Sequence, residues 1–245
     1  MFKHPGLTRE RSAATLRHIL ISALALLAGL APLRAGAAQG DPPRPPAPTL
    51  KPPVSSTKAP DREGFMQRWI LLEPIRCSGQ LTDGAIQATV HTDYFPNQYS
   101  VLPHDGDKVK VAGNELTWHA VDTINYNVNL YHFAYALYRP TSDVLFWAVT
   151  IVNCPREMRG VRLAVGCNAS AVCWVNGEEV IGIYGDRQTV IDDGVSKRLT
   201  LKKGPNIVRC AIVNGGGATD FCARFLDAND KPVTGITLSL PGPGD

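Results

Sequence analysis

From residue 66 onward the apolar positions of this chain come in short runs of period two, separated by turn residues. That pattern predicts strands. The runs are 66–72, 108–111, 116–121, 128–138, 144–152, 161–165, 171–175, 179–183, 189–191, 197–201, 207–213, 221–225 and 236–240. One stretch breaks the rule. Thr82-Asp83 can cap a short helix over 84–91, with Ile86 and Val90 one turn apart. Asn176-Gly177 sits between two of the runs. A two-residue Asn-Gly connection predicts a type I′ hairpin, because both central residues need φ > 0. Residues 112–115 read as a second hairpin loop. Many short strands, one helix and no repeating βαβ pattern predict an all-β, antiparallel β-sandwich.

The alternation also assigns faces. Ala171, Cys173 and Val175 share one face, and Val172 and Trp174 the other. Placing Arg209 outward turns Val208, Cys210 and Ile212 inward. Placing Arg224 outward turns Phe221, Ala223 and Phe225 inward and Cys222 outward. A β-bulge would reverse any of these assignments.

The first 62 residues follow other rules. Lys3, Arg9, Arg11 and Arg17 precede an apolar run over 19–33, and Ala35-Gly-Ala-Ala38 offers small residues for cleavage. Residues 1–38 therefore read as a signal peptide, with secretion or a periplasmic location as the consequence. The run is short for a membrane span, so no span is expected after cleavage. Arg34 beside the cleavage site leaves an uncleaved anchor as the alternative. Prolines at 42, 43, 45, 46, 48, 52, 53 and 60 make 39–62 a proline-rich, disordered linker. Residues 63–243 then form a single domain, large enough to bury its own core.

Charge changes the picture once the leader is set aside. The whole chain has 25 basic and 22 acidic residues. Residues 1–38 hold five of the former and one of the latter, so the remainder carries 20 against 21. Near neutrality, with no basic stripe, it has no electrostatic footprint for nucleic acid. Six cysteines follow the leader: Cys77, Cys154, Cys167, Cys173, Cys210 and Cys222. An oxidising compartment permits disulfides, but sequence does not choose the pairs. Two readings stay open: Cys173 and Cys210 as ordinary buried side chains on the core face, and Cys210 and Cys222 as cross-strand neighbours flanking a glycine-rich turn.

The order of motifs resembles a known family. Asn153-Cys-Pro and a charged turn lead into Val161-Arg-Leu-Ala-Val-Gly166. The Trp174-Val-Asn-Gly hairpin, Leu201-Lys-Lys-Gly-Pro-Asn206 and Val213-Asn-Gly-Gly-Gly217 before Asp220-Phe221 follow. Upstream stand Arg68-Trp-Ile-Leu-Leu-Glu-Pro74, Pro103-His-Asp-Gly-Asp-Lys108 and Leu116-Thr-Trp118. Together these resemble the galactose-binding-like, carbohydrate-binding-module-like jelly rolls of exported bacterial proteins, over residues 66–240. The resemblance implies a binding unit that accompanies glycoside hydrolases and carbohydrate esterases. Relatives often carry acidic residues between the positions of Gly166 and Trp174, whereas here 167–173 has none.

No catalytic or metal motif stands out. There is no Gly-x-Ser-x-Gly, and His91, His104, His119 and His132 lack metal-ligand spacing. The acids of Asp192-Asp193-Gly194, Asp227 and Asp230 read as turn residues. No cofactor is expected, with a structural calcium ion as the only alternative those acids leave open. A sugar offers an apolar ring face to an aromatic side chain and hydroxyls to polar ones. Tyr184, Asp186 and Arg187 in one loop, with Asn214 and Asp220 in another, are the ligand-binding candidates. The expected function is an exported, non-catalytic protein that binds carbohydrate or a cell-envelope glycan. The competing readings are a structural or protein-interaction module, with a protein partner, and a carbohydrate-active hydrolase with an unrecognised site.

Overall fold

A computed structural model describes residues 49–241. The signal-peptide expectation for 1–38 and the first part of the linker lie outside the described residues. No helix among the described residues is long and apolar enough to cross a membrane. The described chain opens with two-residue strands β1 (Leu50–Lys51) and β2 (Thr57–Lys58), then β3 (Arg68–Leu72) and β4 (Ile75–Arg76). Helix α1 (Asp83–Val90) precedes a hairpin of β5 (Lys108–Val111) and β6 (Asn114–Thr123). β7 (Val128–Asn129) runs into helix α2 (Leu130–Ala136). The long strands β8 (Val144–Cys154) and β9 (Met158–Cys167) follow, then the hairpin β10 (Ser170–Val175) and β11 (Glu178–Ile183). β12 (Gly194–Val195), β13 (Leu199–Leu201), β14 (Gly204–Asn214), β15 (Asp220–Leu226) and β16 (Thr237–Ser239) complete the chain.

These strands form an antiparallel sandwich. The larger sheet runs β1-β6-β3-β8-β14-β10-β11, with β16, β2, β4 and β5 paired at its margins. The smaller sheet runs β12-β9-β15-β7, with β13 beside β9. The main core lies between them, built from Phe146, Cys173, Cys210 and Ile212 of one sheet and Leu163, Val165, Phe221 and Phe225 of the other. The larger sheet has a second core on its opposite face. Leu145, Trp147, Val172, Trp174 and Ala211 pack there under Ile86 and Val90 of α1 and Phe95 of the segment that follows. Every residue of β10 is buried as a result. Strands buried on both faces gain apolar contact on each, which is why β8, β10 and β14 read as almost continuous apolar runs.

The local turn chemistry behaves as the sequence predicts. Asn176 and Gly177 have φ of 52° and 87°, and Val175 opposes Glu178 across them. Ala112 and Gly113 repeat the device at φ 46° and 83°. Thr82 caps α1, its hydroxyl accepting from the Ala85 N–H at 3.4 Å. At the far end His91 bridges the Gln87 carbonyl and the Glu179 carboxylate, 2.8 Å from each, tying α1 to β11. Those two acceptors, the carboxylate first, raise its pKa above the usual histidine value.

The structure departs from the sequence expectations at several places. Residues 128–138 are not one strand: Asn129 accepts from the His132 N–H at 2.7 Å and starts α2. Leu130, Phe133 and Ala134 then bury one helical face, a spacing of three and four that outweighs the apparent alternation. Residues 189–191 form no strand. Arg209 faces away from the main core as read, yet it is 2% exposed because the second core covers it. Finally, 49–62 is not free linker. β1 pairs with the end of β6, and β2 pairs with β16. Prolines 52 and 53 fall between these strands, where no ladder N–H is needed. Cys210 and Cys222 also part company, opposing Cys173 and Gly166 in different sheets.

Candidate functional site

The outward face of the smaller sheet carries the most distinctive polar arrangement. On β15 the inward residues Phe221, Ala223 and Phe225 alternate with Asp220, Cys222 and Arg224. The chain after β11 doubles back over this outward face. It can do so because Gly166 on β9 has no side chain: a Cβ there would run into the Val190 carbonyl, with the Cys222 sulfur also close. Cys222 ends up 1% exposed under this segment, and burial pushes its thiol up to about 12. Gly166→Ala is therefore expected to lift the 188–192 segment, costing about 1–3 kcal/mol. Alkylation of Cys222 in the folded protein would report the displacement, and an unreactive Cys222 in that variant would refute it.

The segment is fixed to the sheet by side chains. Asp220 accepts from the Asn127 amide at 2.5 Å and from the Thr189 hydroxyl, joining the 124–127 loop to the returning segment. Arg224 grips both oxygens of Asp192, at 3.0 and 2.5 Å, and donates to the Glu63 carbonyl at 3.0 Å. The Asp192 carboxylate raises the Arg224 pKa. The guanidinium also stands 4.8 Å over the Phe65 ring, and Phe65 meets Tyr126 at 5.4 Å between ring centres. The 124–127 loop is braced in turn: the Thr123 hydroxyl donates to the Asn127 carbonyl at 2.9 Å, and Gln67 donates to the Asn125 carbonyl at 3.0 Å.

The two loops flanking Asp220 and Arg224 present apolar tips. Ile124, Tyr126, Val190 and Ile191 are between 40% and 57% exposed. They are four of the six large hydrophobic side chains exposed among the described residues. Partial burial, and then Cys222 and Asp220 nearby, raises the pKa of the Tyr126 phenol, which stays a neutral donor and acceptor.

The sequence candidates are divided by this geometry. Asp220 is at the centre of the network. Arg187 starts the returning segment but is held by Asp193 and by the Tyr184 carbonyl, the latter at 2.7 Å. Asp186 is exposed beside it. Tyr184 folds its ring over Gly182 and packs against the second core. Asn214 is fully buried; its amide donates to the Thr141 carbonyl at 2.7 Å and its oxygen accepts from Gly216 at 3.2 Å. It braces its loop. Asp192 and Asp193, two of the acids on which a calcium site would draw, are each engaged by an arginine. Among the described residues no group of three or more His, Cys, Asp or Glu gathers as a metal cluster would. Sequence reasoning missed Tyr126, Asn127, Thr189 and Arg224 as a group. The signal available was Ile124-Asn-Tyr-Asn127, an aromatic between asparagines in a loop.

A buried carboxylate, Glu73, sits between β3 and β4 and pairs with the partly exposed Arg139. Glu73 accepts from Arg139 at 2.7 Å and from the Thr117 N–H at 3.1 Å, with His119 at 3.4 Å. It borders a cleft of about 250 Å³ lined by Ile75, Arg76, Val111 and Leu116.

No protein-family model matches the chain, and no curated protein matches it. Three solved structures overlap it loosely. The PA14 sugar-binding domain from an RTX adhesin shares 17% identity over 73% of this chain and 78% of that one, with a TM-score of 0.35. The PA14 domain of an antifreeze protein shares 11% over 77% and 95%, at 0.41. A β-glucosidase from Kluyveromyces marxianus shares 15% over 65% of this chain and 15% of its own length, at 0.37. The strand pairing itself establishes the all-β antiparallel sandwich.

Proposed function

We propose that this is an exported carbohydrate-binding protein, and that it takes a sugar on the outward face of the smaller sheet. The observation that carries the reading is an exposed aromatic, Tyr126, set beside a pre-ordered polar network of Asn127, Thr189 and Asp220. A pyranose ring stacks its C–H face on such a side chain while its hydroxyls exchange hydrogen bonds with carboxylate and amide groups. The network is already held by the sheet, so little ordering entropy is lost on binding. The basic start and apolar run of the leader support export. A role beside polysaccharide-degrading enzymes or on a cell-envelope glycan follows as the biological setting.

Titration calorimetry of the folded protein against a panel of plant, fungal and bacterial polysaccharides tests this. Tyr126→Ala is expected to weaken binding at least tenfold, about 1.4 kcal/mol. The same change should leave stability within about 1 kcal/mol, since the ring is half exposed. Folded protein that binds no glycan in the panel would sink the reading. The exposed aliphatics Ile124, Val190 and Ile191 favour a second reading, a protein-docking face. In that case association would survive Tyr126→Ala and fail in Val190→Asp.

A further inference from the structure

We infer that Cys173 and Cys210 are a disulfide-forming pair that cross-links β10 to β14 at the centre of the main core. All six cysteines are thiols in the structure, but their surroundings differ. Cys173 and Cys210 are direct cross-strand partners, flanked by Ala171 opposite Ile212 and Val175 opposite Val208. Facing residues of an antiparallel pair have Cα atoms roughly 4.5–5.5 Å apart. That lies inside the roughly 4.4–6.8 Å window a disulfide spans. Both side chains point to the same face and are fully buried. Their sulfurs approach to 2.6 Å, closer than the roughly 3.5–4.0 Å of unbonded heavy atoms in a packed core.

The other four cysteines have no cross-strand cysteine partner, although Cys167 lies near the pair in the same core. Cys154 ends β8, with its sulfur 3.6 Å from the Asn206 amide. Cys167 points at the Ala169 carbonyl at 3.6 Å. Cys222 lies on the outward face of the smaller sheet, opposite Gly166. Cys77 follows β4 and is partly exposed. These four stay thiols.

The chemistry is thiol–disulfide exchange with a disulfide-bearing oxidant, a dithiol oxidase protein in an oxidising compartment or oxidised glutathione in a test tube. One cysteine thiolate attacks a sulfur of the oxidant, forming a mixed disulfide and expelling the first thiol of the oxidant. The second cysteine thiolate attacks the sulfur of its partner and expels the other. The two protein thiols lose two protons and two electrons, and the oxidant disulfide gains both and becomes two thiols. Exchange needs exposed thiolates, whereas in the closed core burial raises the Cys173 pKa well above its usual value. Oxidation therefore precedes the closing of β10 on β14, and the finished bond is shielded from reductant.

The test is to reduce and denature the full chain, refold it in a glutathione redox buffer, and alkylate all remaining thiols under denaturing conditions. Peptide mass spectrometry is expected to find four alkylated cysteines and one linked peptide joining Cys173 to Cys210. Cys154→Ala should keep that link, and protein refolded with reductant should melt several degrees lower than oxidised protein. Six alkylated cysteines, or any other pairing, would overturn the inference. No export step enters this experiment, so its result is independent of the sugar-binding reading.

Discussion

Arg68→Met is expected to lower the stability of the domain by about 3–5 kcal/mol, the usual cost of stripping one partner from a buried ion pair. Arg68 is 1% exposed. Its guanidinium donates to both oxygens of Asp122, at 2.8 and 2.9 Å across the β3–β6 register. It also reaches the Ser55 carbonyl at 2.9 Å. Methionine fills the stem but leaves Asp122 buried with only Lys58, 3.8 Å away, to answer it. Because Ser55 lies between β1 and β2, the loss also unpins the 49–58 segment. Urea unfolding should show a lower midpoint with an unchanged slope, and trypsin should cut the native variant after Lys58, which Ala59 follows. Arg68→Met with Asp122→Leu should recover much of the loss, since the orphaned charge goes too. A single-variant loss under about 1 kcal/mol would show that Lys58 takes over the pairing.

What was legible in the chain follows from the range of the forces involved. Asn176-Gly177 and the Thr82 cap are decided within a few residues, and both turned out as read. The inward faces of β10, β14 and β15 follow from alternation and also held. Features set by distant segments did not show. Alternation places Arg209 and Cys222 away from the core, but not under a cover. The cover over Arg209 comes from residues more than a hundred positions earlier. The 49–58 strands were hidden by prolines that look like linker and only exclude a central strand. The candidate site shows the same division. Asp220 was visible as a polar residue at a strand start, whereas Tyr126 and Arg224 become a site only when Phe65 and Asp192 arrive beside them.

Arg209→Ala should be nearly as costly as Arg68→Met, at about 3 kcal/mol, for a different reason. The residue sits on the second-core face of β14, between Trp174 of β10 and Val149 of β8. Its two terminal nitrogens donate to the Tyr99 carbonyl, at 2.5 Å, and to the Val101 carbonyl. Burial pulls its pKa down to about 10, so it is still charged at neutral pH. The bonds hold the 93–102 segment over an aromatic cluster. Trp147 and Trp174 stack 5.6 Å apart, and Tyr99 lies within 5.7 Å of each. Alanine removes both charge-assisted bonds, leaves two carbonyls to find water and opens a void where the stem packed. The 93–102 segment should then loosen, the tryptophan emission should shift to the red, and chymotrypsin should cut at Tyr94 or Tyr99 before global unfolding. Arg209→Met separates the causes, because it refills the void without restoring the bonds. If methionine restores stability but the emission stays shifted, the bonds position the cover and packing supplies most of the energy. If alanine leaves both stability and emission unchanged, Arg209 does not hold the cover in place.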